Sequence, residues 1–206
     1  MSDKRSSKLD VSALRVSRDY RFMFSASAIT GFGSMITAVA MPLQIAQLTG
    51  SYVAVGIVGI IQVIPLVVFG LWGGAIADSF NRKRVVIGCE VGLGISSLLL
   101  FVNALRPEPS LILIYVVAFC FSVFDGLQRP SIEALLPVLL PTDLLPSAGA
   151  LNGLKWNLTS IVGPAAGGVI AAVAGVQYCF GFDIASYVIS ALLLTRLSAK
   201  ANAHKR

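Results

Sequence analysis

Apolar residues dominate this chain in six long runs, and the polar residues between them are few and clustered. A helix needs about 20 largely apolar residues to cross a bilayer, and the stretches 22–47, 54–77, 85–105, 110–128, 146–174 and 178–196 meet that length. The pattern predicts an all-α membrane protein with six transmembrane helices, so the lipid bilayer is its first partner. The joins are short: QLTGSY after the first span, SFNRKR after the second and RPEP after the third. The fourth join, 129–145, is longer and holds the apolar string LLPVLLP. Pro130, Pro137, Pro141 and Pro146 each remove a backbone donor, so this stretch reads as an elbow at the membrane surface.

Composition agrees with lipid as the solvent. Charged residues make up 13% of the 206 residues, against about 25% in an average soluble domain, too few to cover a water-facing surface. The net charge of +6 does not form a stripe for nucleic acid, because the cations sit at the ends of the apolar runs. Lys4, Arg5, Lys8, Arg15, Arg18 and Arg21 lie in the hydrophilic arm 1–21. Arg82, Lys83 and Arg84 follow span two, Arg129 and Lys155 belong to the elbow region, and Arg196, Lys200, Lys205 and Arg206 close the chain. Only Arg106 falls on the other side. By the positive-inside rule the chain is a multi-pass inner (plasma) membrane protein with both termini cytoplasmic: a basic arm 1–21, a six-helix bundle 22–196 and a basic tail 197–206. The arm lacks a cleavable secretory pattern. Cys89, Cys120 and Cys179 stand in separate runs without metal-ligand spacing, so they read as structural thiols and no metal or cofactor is expected. His204 reads as a solvated tail residue.

The stretch GGAIADSFNRKR, residues 73–84, is a tight turn between spans two and three. Arg82, Lys83 and Arg84 serve there as topology anchors. Asp78, at a helix C-terminus, opposes the helix dipole and calls for a partner. Gly73 and Gly74 allow another backbone to approach. The run Gly74-Ala-Ile-Ala-Asp78-Ser-Phe-Asn-Arg82-Lys83-Arg84 resembles the loop signature of the major facilitator superfamily, Gly-x-Leu-Ala-Asp-Arg-x-Gly-Arg-Lys/Arg. Asn81 replaces the signature glycine, a change expected to be tolerated through left-handed backbone angles, and Ser79 replaces its arginine. The resemblance implies that this loop gates the cytoplasmic side of a transporter.

In span five, Gly163-Pro164-x-x-Gly167-Gly168 resembles a motif of drug/proton antiporters in the same superfamily. Physically, Pro164 removes a helix hydrogen bond, and Gly163 and Gly167 allow close helix packing. The strings ALLPVLLPTDLLPSAGALNGL and FDIASYVISALLL resemble the branch that contains enterobactin and macrolide exporters. The likeness runs from about residue 18 to 196 and implies one six-helix half, the N-terminal one, of a fold that has two.

Three acids fall inside the spans. Glu90 and Asp125 are placed where both reach the Arg82–Arg84 cluster, with Asp125 one helical turn before Arg129, so they read as a charge network or as proton-coupling groups. Asp183 reads as a helix-end hydrogen-bonding group near the opposite surface. Ser34, Thr37, Gln44 and Gln62 are candidate cavity-lining residues. No nucleophile motif, zinc motif or phosphate loop is present, which argues against an enzyme. The expected function is secondary-active, proton-coupled efflux of a small, partly apolar compound such as a drug or siderophore. The alternatives are the membrane domain of an ATP-driven exporter and a non-transporting scaffold or truncation product. Three states of the chain follow from its length: a fragment, a half that pairs with a second six-helix half, or a homodimer.

Overall fold

The computed structural model describes residues 10–198, and of residues 75–79 only the backbone. Among the described residues seven α-helices follow one another: α1 Ser12–Val16, α2 Arg18–Thr49, α3 Tyr52–Ser79, α4 Arg82–Ala104, α5 Leu111–Leu139, α6 Leu145–Val173 and α7 Val176–Thr195, with a 3-10 turn Thr142–Leu144 before α6. Helices α2 to α7 are the six that are long and apolar enough to cross a membrane. At about 1.5 Å per residue even α7 reaches about 30 Å, the hydrocarbon thickness.

Local chemistry sets the helix ends. Ser17 caps α2 by accepting from the Tyr20 amide at 3.1 Å, and Gly50 ends it with φ +63°, a left-handed angle open to glycine. Asn81 begins α4 at φ −64° and ψ 109° and accepts from the Arg84 amide at 3.1 Å. It is an N-cap, not the left-handed residue that the glycine replacement suggested. Buried Asn103 closes the α4–α5 turn, donating to the Ser110 carbonyl and accepting from its amide.

The elbow expected at 129–145 is instead largely helix, because α5 continues through Pro130 and Pro137 to Leu139. Proline is tolerated in such helices where neighbours meet the freed backbone groups. Pro130 cannot donate to the Gly126 carbonyl, and α3 presses against that carbonyl: a Cβ added at Gly73 would lie 2.9 Å from it. One turn on, near Pro137, the Arg82 guanidinium donates to the Ala134 carbonyl at 2.9 Å. Gly74, expected to share the close-approach role, faces open space.

Laterally the helices pack as a row, α3–α5–α4–α7–α2–α6, with α3 and α6 at its ends. Two apolar clusters form the core. One, near the end that carries both described chain ends, centres on Tyr20, Met23, Leu135, Leu151 and Leu194. The other, toward the opposite end, centres on Ile36, Ile45, Leu100, Ile114 and Phe180. A layer of buried polar side chains separates them.

Candidate functional site

That layer is built from α2, α4, α5 and α7, each contributing polar residues one to three turns from its apolar anchors. Asp183, with 0% exposure, accepts from Thr37 Oγ1 at 2.9 Å and Ser97 Oγ at 2.6 Å, and Ser186 Oγ lies 3.4 Å from its other oxygen. It stands two turns into α7 and binds α7 to α2 and α4, so the helix-end role expected for it is corrected. Tyr187 and Ser34 share a hydrogen bond of 2.8 Å.

Glu90, only 3% exposed, accepts from Gln128 Nε2 at 2.8 Å. Its second oxygen faces the buried Ser190 hydroxyl of α7. Asp125 pairs with Arg129 at 2.8 Å along α5. The described contacts of Glu90 and Asp125 are therefore with α5 and α7 and not with Arg82, Lys83 or Arg84, contrary to the expected reach.

Between α2 and α5, which touch each other little, lies a cavity of about 480 Å³. Ser27, Thr30, Ser34 and Thr37 of α2 line one wall, and Asp125, Gln128, Arg129 and Glu133 of α5 line the other. Gln62, Glu90, Lys155 and Tyr187 come from the remaining four helices. Of the cavity candidates read from sequence, Ser34, Thr37 and Gln62 are there. Gln44 is buried elsewhere, with Oε1 unpartnered among the described residues. The residue missed was Lys155, counted above among the cations of the elbow region. It lies ten residues into α6, about 15 Å along the helix, and donates to Ser27 Oγ at 2.8 Å. Its place inside the span 146–174 was the available signal.

The two sequence motifs lie apart from the cavity's polar residues. Lys83 donates to the Leu197 carbonyl at 2.7 Å, capping the exit of α7, and Arg84 is exposed. The backbone of Asp78 lies in the last turn of α3, and its side chain is outside the described residues. In α6, Gly167 meets the backbone of α2, where an added Cβ would lie 3.0 Å from the Ile36 carbonyl. Gly163 meets the Met35 side chain, whereas Gly168 faces open space. Pro164 lies within the helix. Cys89 and Cys179 are buried free thiols and Cys120 is partly buried.

Residues 11–206 match the family model MFS_3, described as transmembrane secretion effector. The chain belongs to this family of the major facilitator superfamily. Among curated relatives, it is 32% identical over 197 residues to the enterobactin exporter EntS of Citrobacter koseri and 33% identical to that of Shigella boydii serotype 18. The enterobactin exporter EntS of Escherichia coli O157:H7 is 32% identical. Each alignment covers 96% of this chain and 47% of the relative, so the chain spans about half the length of these relatives. No solved structure matches. Membership of this family, with six apolar helices, makes the chain a multi-pass membrane protein of a transporter family.

Proposed function

We propose that the six-helix body is one half of a secondary-active exporter, oriented with both termini in the cytoplasm. The observation that carries this reading is a cavity midway between two apolar clusters, with buried polar and charged side chains set in a largely apolar lining. Its volume of about 480 Å³ falls in the range of small-ligand pockets, about 300–1,000 Å³. Facilitator transport binds substrate near the bilayer midplane between two such bodies that rock against each other, and a second six-helix half would cover the cavity between α2 and α5. A siderophore-class or similarly amphiphilic compound is the proposed cargo, because the relatives named above are enterobactin exporters.

Protons are the proposed coupling ion, and Glu90 is the residue proposed to carry them. It is a buried acid at the cavity edge, with one oxygen accepting from Gln128 and the other facing the Ser190 hydroxyl. Intramembrane acids of this kind mark ion pathways in transporters. Asp78, Arg82, Lys83 and Arg84 are proposed to govern opening of the cytoplasmic side. The ATP-driven alternative requires long polar extensions of the helices, whereas only two residues, Phe80 and Asn81, join α3 to α4.

The test is efflux from cells expressing the chain together with a second half, over siderophores, dyes and antibiotics, with and without a proton gradient. Glu90→Gln should abolish gradient-driven efflux while leaving membrane expression unchanged, and Asp78→Ala should strongly reduce it. Efflux that survives collapse of the gradient and Glu90→Gln alike would remove proton coupling.

A further inference from the structure

We infer that Lys155 makes the cavity a site for an amphiphilic acid, with its ammonium holding the carboxylate or comparable anionic oxygen of the cargo. The inference rests on the cavity being the transport site proposed above and narrows the chemistry it accepts. An ammonium is strongly disfavoured inside a membrane and, where kept there, is paired or functional. Lys155 has three donors. One goes to Ser27 Oγ at 2.8 Å, and the ammonium also lies 5.6 Å from the centroid of the Phe24 ring. It forms no ion pair among the described residues.

Among the described residues no neighbouring acid pairs with Lys155 in this arrangement. Asp125 is held by Arg129 and Glu90 by Gln128, and the exposed Glu133 makes no described contact with Lys155. Nearby hydroxyls compete little for an anionic guest, because they spend their protons on their own helices. Ser27 donates to the Phe24 carbonyl, Thr30 to that of Ala26 and Thr159 to those of Lys155 and Trp156. Lys155 therefore keeps two strong donors for an incoming oxygen, beside the aromatic surfaces of Phe24 and Trp156. Charge at one point and aromatic surface beside it describe an aromatic or otherwise apolar acid, better than a cation or a neutral sugar.

The test is direct binding to the full chain in lipid nanodiscs, titrated with 2-naphthoate and with the uncharged 2-naphthamide and read by tryptophan fluorescence and calorimetry. The wild-type chain should bind the naphthoate about tenfold or more tightly than the amide, the size of one charge-assisted hydrogen bond. Lys155→Gln should erase that preference by weakening the naphthoate alone, and Lys155→Arg should restore most of it. Thermal midpoints of both variants establish that they are folded. Equal affinities for the two probes, binding of neither, or a preference that persists in folded Lys155→Gln overturns the inference. Binding is read without transport, so the two readings fail separately. Selective, Lys155-dependent binding with no efflux in the transport assay defeats the exporter reading and leaves the acid site standing. Efflux with no preference for the acid does the reverse.

Discussion

Asp183 offers the sharpest separation between a structural acid and a coupling acid. Its carboxylate is fully buried and receives Thr37 and Ser97 on one oxygen, with Ser186 near the other. Asp183→Asn can keep its carbonyl oxygen toward Thr37 and Ser97 and turn its amide toward Ser186. The Ser186 hydroxyl donates to the Asp183 main-chain carbonyl at 2.7 Å and so is free to accept. The asparagine variant should therefore stay within about 1 kcal/mol of wild type. Asp183→Ala removes the acceptor for the Thr37 and Ser97 hydroxyls. Interhelical hydrogen bonds in membranes average about 0.6 kcal/mol, with a maximum near 1.7, so two of them amount to about 1–3 kcal/mol. For a domain of this size that is a fall of roughly 3–12 °C in the thermal midpoint. The assay is thermal unfolding of detergent-purified protein, followed by size-exclusion chromatography. An asparagine variant as unstable as the alanine variant, or an alanine variant as stable as wild type, would refute the argument. If Asp183→Asn is stable yet abolishes proton-driven efflux, Asp183 becomes a coupling residue.

Three further outcomes follow from the packing and the charges. A Cβ added at Gly126 would lie 3.0 Å from the Gly70 nitrogen and 3.1 Å from the Leu66 carbonyl, so Gly126→Val should force α3 from α5 and cost about 1–3 kcal/mol. Gly74→Ala, which faces open space, should show no loss in the same melts. Asn81→Ala should lose about 1 kcal/mol as its cap is removed, and Asn81→Gly only a few tenths. Equal midpoints for the two variants would contradict the capping role. Single cysteines at Ser51 and Ser79 should label from opposite faces, Ser51 from outside intact cells, and labelling of Ser79 from outside would invert the proposed orientation.

The six spans were legible because lipid exposure imposes long apolar runs, and each run has its helix. The extension of α5 was not, because a proline rule applied to one segment cannot see the partner helix. Gly73 and Arg82 reach α5 across sequence distances of about 50 residues and meet backbone around its prolines. The same limit applies to acids. Asp125 was correctly placed beside Arg129, since a four-residue spacing is local geometry. Asp183 was read as a helix-end group because Thr37 and Ser97, which bury it, belong to helices far away in sequence. Lys155 shows a different failure: charge was counted by proximity to a loop when the span boundaries already enclosed it. Asn81 was judged by the glycine it replaces, although asparagine is itself one of the strongest N-caps.

The row order α3–α5–α4–α7–α2–α6 also has a consequence for how the chain is made. Helix α2 is synthesised first among the long helices, yet its principal neighbours, α6 and α7, are synthesised last. During most of translation Thr37 lacks the carboxylate that it later meets, and Ser34 lacks Tyr187. Helices α3, α4 and α5 can assemble around one another earlier, but α2 must wait at the insertion machinery or in lipid with its polar side unmatched. Ribosome-bound chains that stop before residue 176 should therefore remain crosslinkable through α2 to the insertase, and should be released once α7 has emerged.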